Sequence, residues 1–274
     1  MLPHAQLEKL QELAREIRKK TIYEIANLGV GHIGGALSIV EILALLYGQE
    51  MNVRPEEPRW NDRDMLVLSK GHAGPALYAT LAIRGFFPET WLDTLNQGGT
   101  SLPSHCDRTK TPGIDMSTGS LGQGLSAACG MAYAQKIDGN PCYIYVIIGD
   151  GESQEGQNWE AAMFAAQYKL GHLIAFTDYN KLQIDGTVDE IMSLGDVCAK
   201  WEAFGWHVQR VDGHDFQLMH EAIQQAKQQQ ERPSMIVLDT VKGKGAAFCE
   251  GMVGNHNMKV DMTMATQAIS ELNA

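Results

Sequence analysis

The chain has 274 residues, 44% of them hydrophobic and 20% charged, enough apolar material for one sizeable core. Its formal net charge of −11 argues against nucleic acid or an anionic membrane as the main partner, because both reward basic patches. Any phosphate-bearing ligand would need a local positive source: a metal, helix N-termini or histidines.

In chain order, Leu7, Leu10, Leu13, Ala14, Ile17, Thr21, Ile25 and Leu28 fall on one helical face and predict a helix over 5–28. A glycine-rich break, Gly29 to Gly35, follows. Ser38 is placed to cap a helix running to about Tyr47. Residues 52–63 read as a loop. Short apolar runs at 65–68, 143–148, 173–177, 206–211 and 235–239 then alternate with helical patterns near 74–84, 121–137, 156–169, 193–203 and 215–229. Several runs are continuously apolar, as strands covered on both faces must be. The alternation predicts an α/β fold with a mainly parallel sheet and helices on both faces, in a single domain over 1–274. The tail after about Gly251 shows no strong period.

Cys106, Cys129, Cys142, Cys198 and Cys249 are odd in number and form no CxxC pair. They read as reduced thiols. With no apolar run of membrane-spanning length and no signal-like start, a cytoplasmic location is expected.

Five polar, glycine-rich clusters stand at the carboxyl ends of the predicted strands: Ser69–His72, Gly149–Gly151, Asp178–Asn180, Asp212–His214 and Lys242–Gly245. In open α/β sheets that edge binds ligands. Loops after strands are often merely polar, but five clusters at one edge favour a site. Between Gly151 and Asp178 lie 26 residues, positions 152 to 177. That is room for one helix and one strand, so the chain returns to the same edge. Asp150 offers a carboxylate and Asn180 an amide oxygen, hard donors suited to magnesium or calcium. Glycines admit close approach of a diphosphate, and a helix N-terminus near Glu155 or Gly156 adds partial positive charge. A tight turn with a capping Asn180 is the bland alternative, and the paired spacing disfavours it.

The segments GDGESQEGQNWEA and DYNKLQIDG, with GVGHIGGALS, VLSKGHAGPALYA, TPGIDMSTGSLGQGLS and KGKG, resemble the thiamine diphosphate signature of the transketolase family. The resemblance runs from about residue 10 to 260 and corresponds to the first half of a usual transketolase. It implies that Asp150, Asn180 and the carbonyl of Leu182 ligate a divalent metal, Mg²⁺ or else Ca²⁺ or Mn²⁺, and that Gly151 lies against the diphosphate. Gly119, Ser120 and Leu121 match the segment that packs on the cofactor. His72 and His256 correspond to contacts at the diphosphate end, and His32, His105 and His256 to contacts with the donor sugar. Glu155 and Glu160 match glutamates of a network between cofactor sites. His256 sits in GNHNMK where the family more often shows Trp-His-Gly-Lys. Lys242 and Lys244 could steady anions or simply be solvated. KGKG is no P-loop, lacking the preceding glycine and its spacing.

In the family, a glutamate that activates the cofactor and an aromatic residue that stacks on it come from a pyrimidine-binding domain. That domain is expected here on a partner, the C-terminal transketolase subunit, in a 2+2 heterotetramer acting on sugar phosphates. The alternatives are a component resembling 1-deoxyxylulose-5-phosphate synthase or a 2-oxo acid dehydrogenase, and a non-catalytic assembly subunit. The histidine set and TGSLGQG favour transketolase.

Overall fold

The computed structural model describes residues 1–273. Along the chain, α1 (His4–Leu28) leads through β1 (Val30–Gly31) into α2 (Ile33–Leu37) and α3 (Val40–Leu45). Next come β2 (Met65–Leu68), α4 (Gly74–Ile83), α5 (Gln123–Asp138), β3 (Ile144–Gly149), α6 (Gly156–Gln167) and β4 (Leu173–Tyr179). Then follow α7 (Val188–Met192), α8 (Val197–Ala203), β5 (His207–Asp212), α9 (Phe216–Lys227), β6 (Ser234–Asp239), β7 (Met258–Lys259) and α10 (Met262–Glu271).

Five strands form one parallel sheet in the order β2-β3-β4-β6-β5. The central strands are buried along their length, save half-buried Tyr179 and Asp239 at their carboxyl ends, because both faces are covered. Alternation within them divides the core. Tyr145, Ile147, Phe176, Ile236 and Leu238 pack with α1, α3, α4 and α9. Val146, Ile148, Ala175, Met235 and Val237 pack with α5, α6 and α8 on the other face. Edge strand β5 alternates only weakly and stays half-exposed. A second, antiparallel ribbon pairs β1 with β7, setting Val30 opposite Lys259 and Gly31 opposite Met258.

Three local expectations need correction. Ser38 caps no helix: it lies in helical backbone after α2, and its hydroxyl donates to Asp178 Oδ2 at 2.7 Å. The glycine-rich break itself contains α2, and its Gly34 is required because a Cβ there would stand 2.2 Å from Asn255 Oδ1. The tail is ordered. Asp261 caps α10 by accepting from the Thr263 and Met264 amides, and Ala265 and Ala268 bury that helix in the core shared with α1. No helix of the described residues is long and apolar enough to cross a membrane.

Candidate active site

At the carboxyl edge of β2, β3 and β4 lies a cavity of about 320 Å³, lined in part by His32, His72, His105, His256, Asp150 and Asn180. Four imidazoles gather at one end. His32 is central, its ring centroid 5.4 Å from His72, 5.7 Å from His105 and 5.3 Å from His256, with His72 and His256 4.9 Å apart. These rings come from four distant segments. His32 follows β1 and His256 precedes β7, so the small ribbon brings them together. His72 sits in the turn after β2. His105 rests against Gly119, where a Cβ would stand 2.9 Å from the ring.

Burial and neighbouring cations keep these imidazoles neutral. His72 is held well below the usual range by burial, then by the Lys70 ammonium and the other histidines. His256 is pushed down to about 4 by burial, Lys242 and His32. His32 is lowered by burial, His105 and Lys242, and His105 by burial. Neutral imidazole can donate at one nitrogen and accept at the other, so the set can read hydroxyls and move protons at neutral pH.

The other end is oxygen-rich. Asp150 is 2% exposed and accepts from the amides of Lys181 at 2.5 Å and Gly151 at 2.7 Å. Burial and the nearby Asp178 carboxylate push its pKa up to about 7. Asn180 donates to Asp178 Oδ2 at 2.8 Å, and its Oδ1 accepts from the Leu182 amide. The Leu182 carbonyl accepts from Lys242 Nζ at 3.2 Å. Burial and Lys70 push that ammonium down to about 8, against the pull of Asp150 and Asp178.

Gly35, Lys70 and Glu152 of the cavity wall belong to a network that the sequence motifs did not reveal. Lys70 Nζ donates to Asp178 Oδ2 at 2.6 Å and to the Gly35 carbonyl at 2.7 Å. Burial works against the Asp178 charge, but Lys70, Thr240 and Ser38 outweigh it and hold the carboxyl below its usual range. Glu152 accepts from the Ser69 hydroxyl, the Gly122 amide and the Gly149 amide, clamping the loops after β2 and β3. Gln183 lines the cavity with a buried, unpartnered Nε2. Lys70 follows a buried strand and shares the Ser69–His72 cluster with His72, so a signal for it exists in the sequence, although nothing there assigns it to Asp178.

Gly119, Leu121, Gly151, Glu155, Asn180 and Leu182 all line the cavity. Ser120 and Glu160 are exposed and lie outside its lining. Glu160 occupies the face of α6 opposite Asn158, Ala161 and Ala162, which are buried. The Asp212–His214 cluster also stays outside: His214 turns toward Glu41 and Val241. A larger cleft of about 700 Å³ between 57–63 and 108–115 holds Arg63, which is already paired with Asp115 at 2.7 Å.

This edge of a parallel sheet, with paired oxygen donors and a histidine cluster, is that of a diphosphate-cofactor domain. The family described as transketolase, thiamine diphosphate binding domain, matches residues 9–269, and the chain belongs to it. It is similar to the 6-deoxy-6-sulfo-D-fructose transketolase subunit SqwG of Clostridium sp., 60% identical over 263 residues and 96% of each chain. It is also similar to one of the apulose-4-phosphate transketolase subunits of Phocaeicola vulgatus, 38% identical over 98% of this chain and 95% of that one. The transketolase of Campylobacter jejuni superposes with a TM-score of 0.91 at 31% identity, over 97% of this chain and 43% of its own. The chain thus spans less than half the length of that solved transketolase.

The residues present fit thiamine diphosphate. Glycine at 151 admits a close approach, since a Cβ there would already stand 3.3 Å from Gln183. The orphaned Gln183 amide supplies a donor at the wall, and Asp150 and Asn180 set hard oxygens in the same cavity. Among the described residues no cluster of three His, Cys, Asp or Glu could hold a metal. A metal here would therefore use mixed oxygens.

Proposed function

We propose that this chain is the cofactor-holding half of a two-chain transketolase that transfers a two-carbon ketol unit from a ketose phosphate, or a similarly anionic ketose, to an aldose acceptor. The observation that carries the reading is the shape of one cavity: oxygen donors at one end, four neutral imidazoles at the other. Asp150, Asn180 and the Leu182 carbonyl hold a divalent metal, preferably Mg²⁺, in oxygen coordination. Gly151, Gln183, Lys242 and His72 meet the diphosphate. When bound, thiamine diphosphate supplies the reactive carbon that accepts the two-carbon unit. His32, His105 and His256 orient the donor's hydroxyls and carbonyl and hold or pass their protons.

The residues that act on the cofactor's pyrimidine come from a partner, the C-terminal transketolase subunit, with two copies of each chain in the assembly. The exposed Glu155 and Glu160 suit a network that closes only there. The whole forms one domain in the cytoplasm. Because the Clostridium relative is 60% identical against 38% for the apulose-4-phosphate relative, 6-deoxy-6-sulfo-D-fructose is the first donor to try. The test is a donor–acceptor screen of this chain with its copurifying partner. Thiamine-dependent ketol transfer by the pair is expected. A pyruvate-dependent reaction instead, or cofactor binding with no turnover, would overturn the reading.

A further inference from the structure

The cluster Asp212-Gly-His214 follows a strand at the ligand edge, yet it does not face the cavity. It takes part in a chain of side chains running from α1 to the loop after β6. Arg18 Nη2 donates to Glu41 Oε1 at 2.5 Å, and Arg18 Nε donates to the Lys244 carbonyl at 2.8 Å. Glu41 Oε2 lies 3.0 Å from His214 Nδ1. His214 Nε2 accepts from the Val241 amide at 2.9 Å. All three side chains are largely buried, at 8%, 10% and 16% exposure for Arg18, Glu41 and His214.

The hydrogens fix the tautomer. A backbone N–H only donates, so His214 Nε2 must carry a lone pair and its proton must sit on Nδ1, pointing at Glu41. Burial raises the cost of charge on Glu41, but the His214 hydrogen bond, the Arg18 charge and the Arg18 hydrogen bond together hold it below the usual carboxylate range. The segment held this way carries cavity residues. Lys242 adjoins Val241. The Lys242 carbonyl accepts from Asn255 Nδ2 at 3.2 Å, and Asn255 adjoins His256. Gly245, at φ +81°, lies so close over Arg18 that a Cβ would stand 2.6 Å from its Cδ. The glycines of KGKG thus let the loop wrap a guanidinium rather than a phosphate.

We propose that His214 is a positioning residue for cofactor binding: neutral, it anchors the Val241 amide and so aims Lys242 and His256 into the cavity. The proposal rests on the reading that those two residues face the cofactor. Removing the His214 acceptor would leave the Val241 amide without its anchor and loosen the loop. Glu41 and Arg18 face the imidazole region from α3 and α1, Asp212 and Asp215 flank it on its own turn, and the Lys244–Glu250 pair, 3.4 Å apart, lies on the braced loop.

The experiment uses the complex with its partner and reads two quantities: the thiamine diphosphate dissociation constant at about pH 8, and hydrogen exchange across 241–256. Losing one anchoring hydrogen bond is expected to weaken binding by about threefold to tenfold in His214→Ala, with faster exchange across 241–256. His214→Gln keeps an acceptor for Val241. It is expected to bind the cofactor and to exchange across 241–256 like wild type. A folded His214→Ala complex with wild-type affinity and exchange would overturn the proposal. If the alanine variant does not fold, a His214→Gln complex that keeps the acceptor yet binds the cofactor weakly and exchanges fast across 241–256 overturns it equally. If wild type fails to bind the cofactor, the functional reading is at fault, while exchange across 241–256 still reports on the brace.

Discussion

Replacing Asp150 with Asn should stabilise the unliganded protein and abolish metal-dependent cofactor binding at once. The carboxyl is 2% exposed and its pKa is raised from 3.8 to about 7 by burial and by Asp178. A carboxyl raised on folding favours the fold while protonated, and that contribution disappears as pH climbs from about 4 through about 7. Above pH 7 the buried charge therefore costs about 4 kcal/mol, at about 1.4 kcal/mol per pH unit between the two values. Asn carries no charge and retains an oxygen for the Lys181 amide, while losing the acceptor of the Gly151 amide offsets about 1–3 kcal/mol of the gain. For a chain of this size the gain corresponds to a rise in Tm of about 5 °C or more near pH 8. Metal and cofactor reverse the order, because a cation at Asp150 removes the cost in wild type and has no carboxylate to meet in the variant. The assay is thermal melting of the complex near pH 8 with EDTA, then with Mg²⁺ and thiamine diphosphate. A less stable Asn variant under EDTA, or one still stabilised by metal and cofactor, would refute the reasoning.

The same titration predicts that metal-dependent cofactor affinity in wild type falls about fivefold from pH 7 to pH 6, as the ionised fraction of Asp150 drops from about one half to about one tenth; calorimetry at both pH values checks it. His32→Ala and His105→Ala should lower kcat by about 100- to 10,000-fold with cofactor affinity nearly kept, whereas excess cofactor should restore part of the activity of His72→Ala; initial rates at saturating thiamine diphosphate separate the two behaviours. Lys70→Met leaves Asp178 buried without its cation and should destabilise the protein by about 3–5 kcal/mol, read by denaturant melts. Solution mass of the cofactor-loaded complex should correspond to two copies of each chain; a 1:1 pair at micromolar concentration would count against that assembly.

Sheet, strand positions and the meeting of Asp150 with Asn180 at one sheet edge are legible in the sequence because their signals are local. A continuous apolar run such as 144–148 marks a doubly covered strand, and Gly149-Asp-Gly151 with Asn180 returns to one edge after a helix and a strand. Sequence spacing does not show that β1 pairs β7, which is what seats His256 beside His32. Nor does it show that Lys70 belongs to Asp178, 108 positions away. Such pairings depend on tertiary contact and leave no period. Ser38 misleads because Ser before an apolar run signals a cap, whereas its hydroxyl is needed by the buried Asp178. The α10 helix escapes a periodicity reading because its buried stripe is only alanine, Ala265 and Ala268. His214 sits outside the histidine set that the family motifs mark. Its role shows only in the direction of the Val241 N–H.

The most direct test of the central claim is a calorimetric titration of thiamine diphosphate into the complex of this chain with its partner, run with Mg²⁺ and again with EDTA, in wild type and in Asn180→Ala. Wild type should bind with Mg²⁺ and lose that binding in EDTA, while Asn180→Ala, folded and still paired, should bind in neither condition. Equal binding by wild type with and without metal, or wild-type binding by Asn180→Ala, would contradict the assignment of this edge as the metal–diphosphate site.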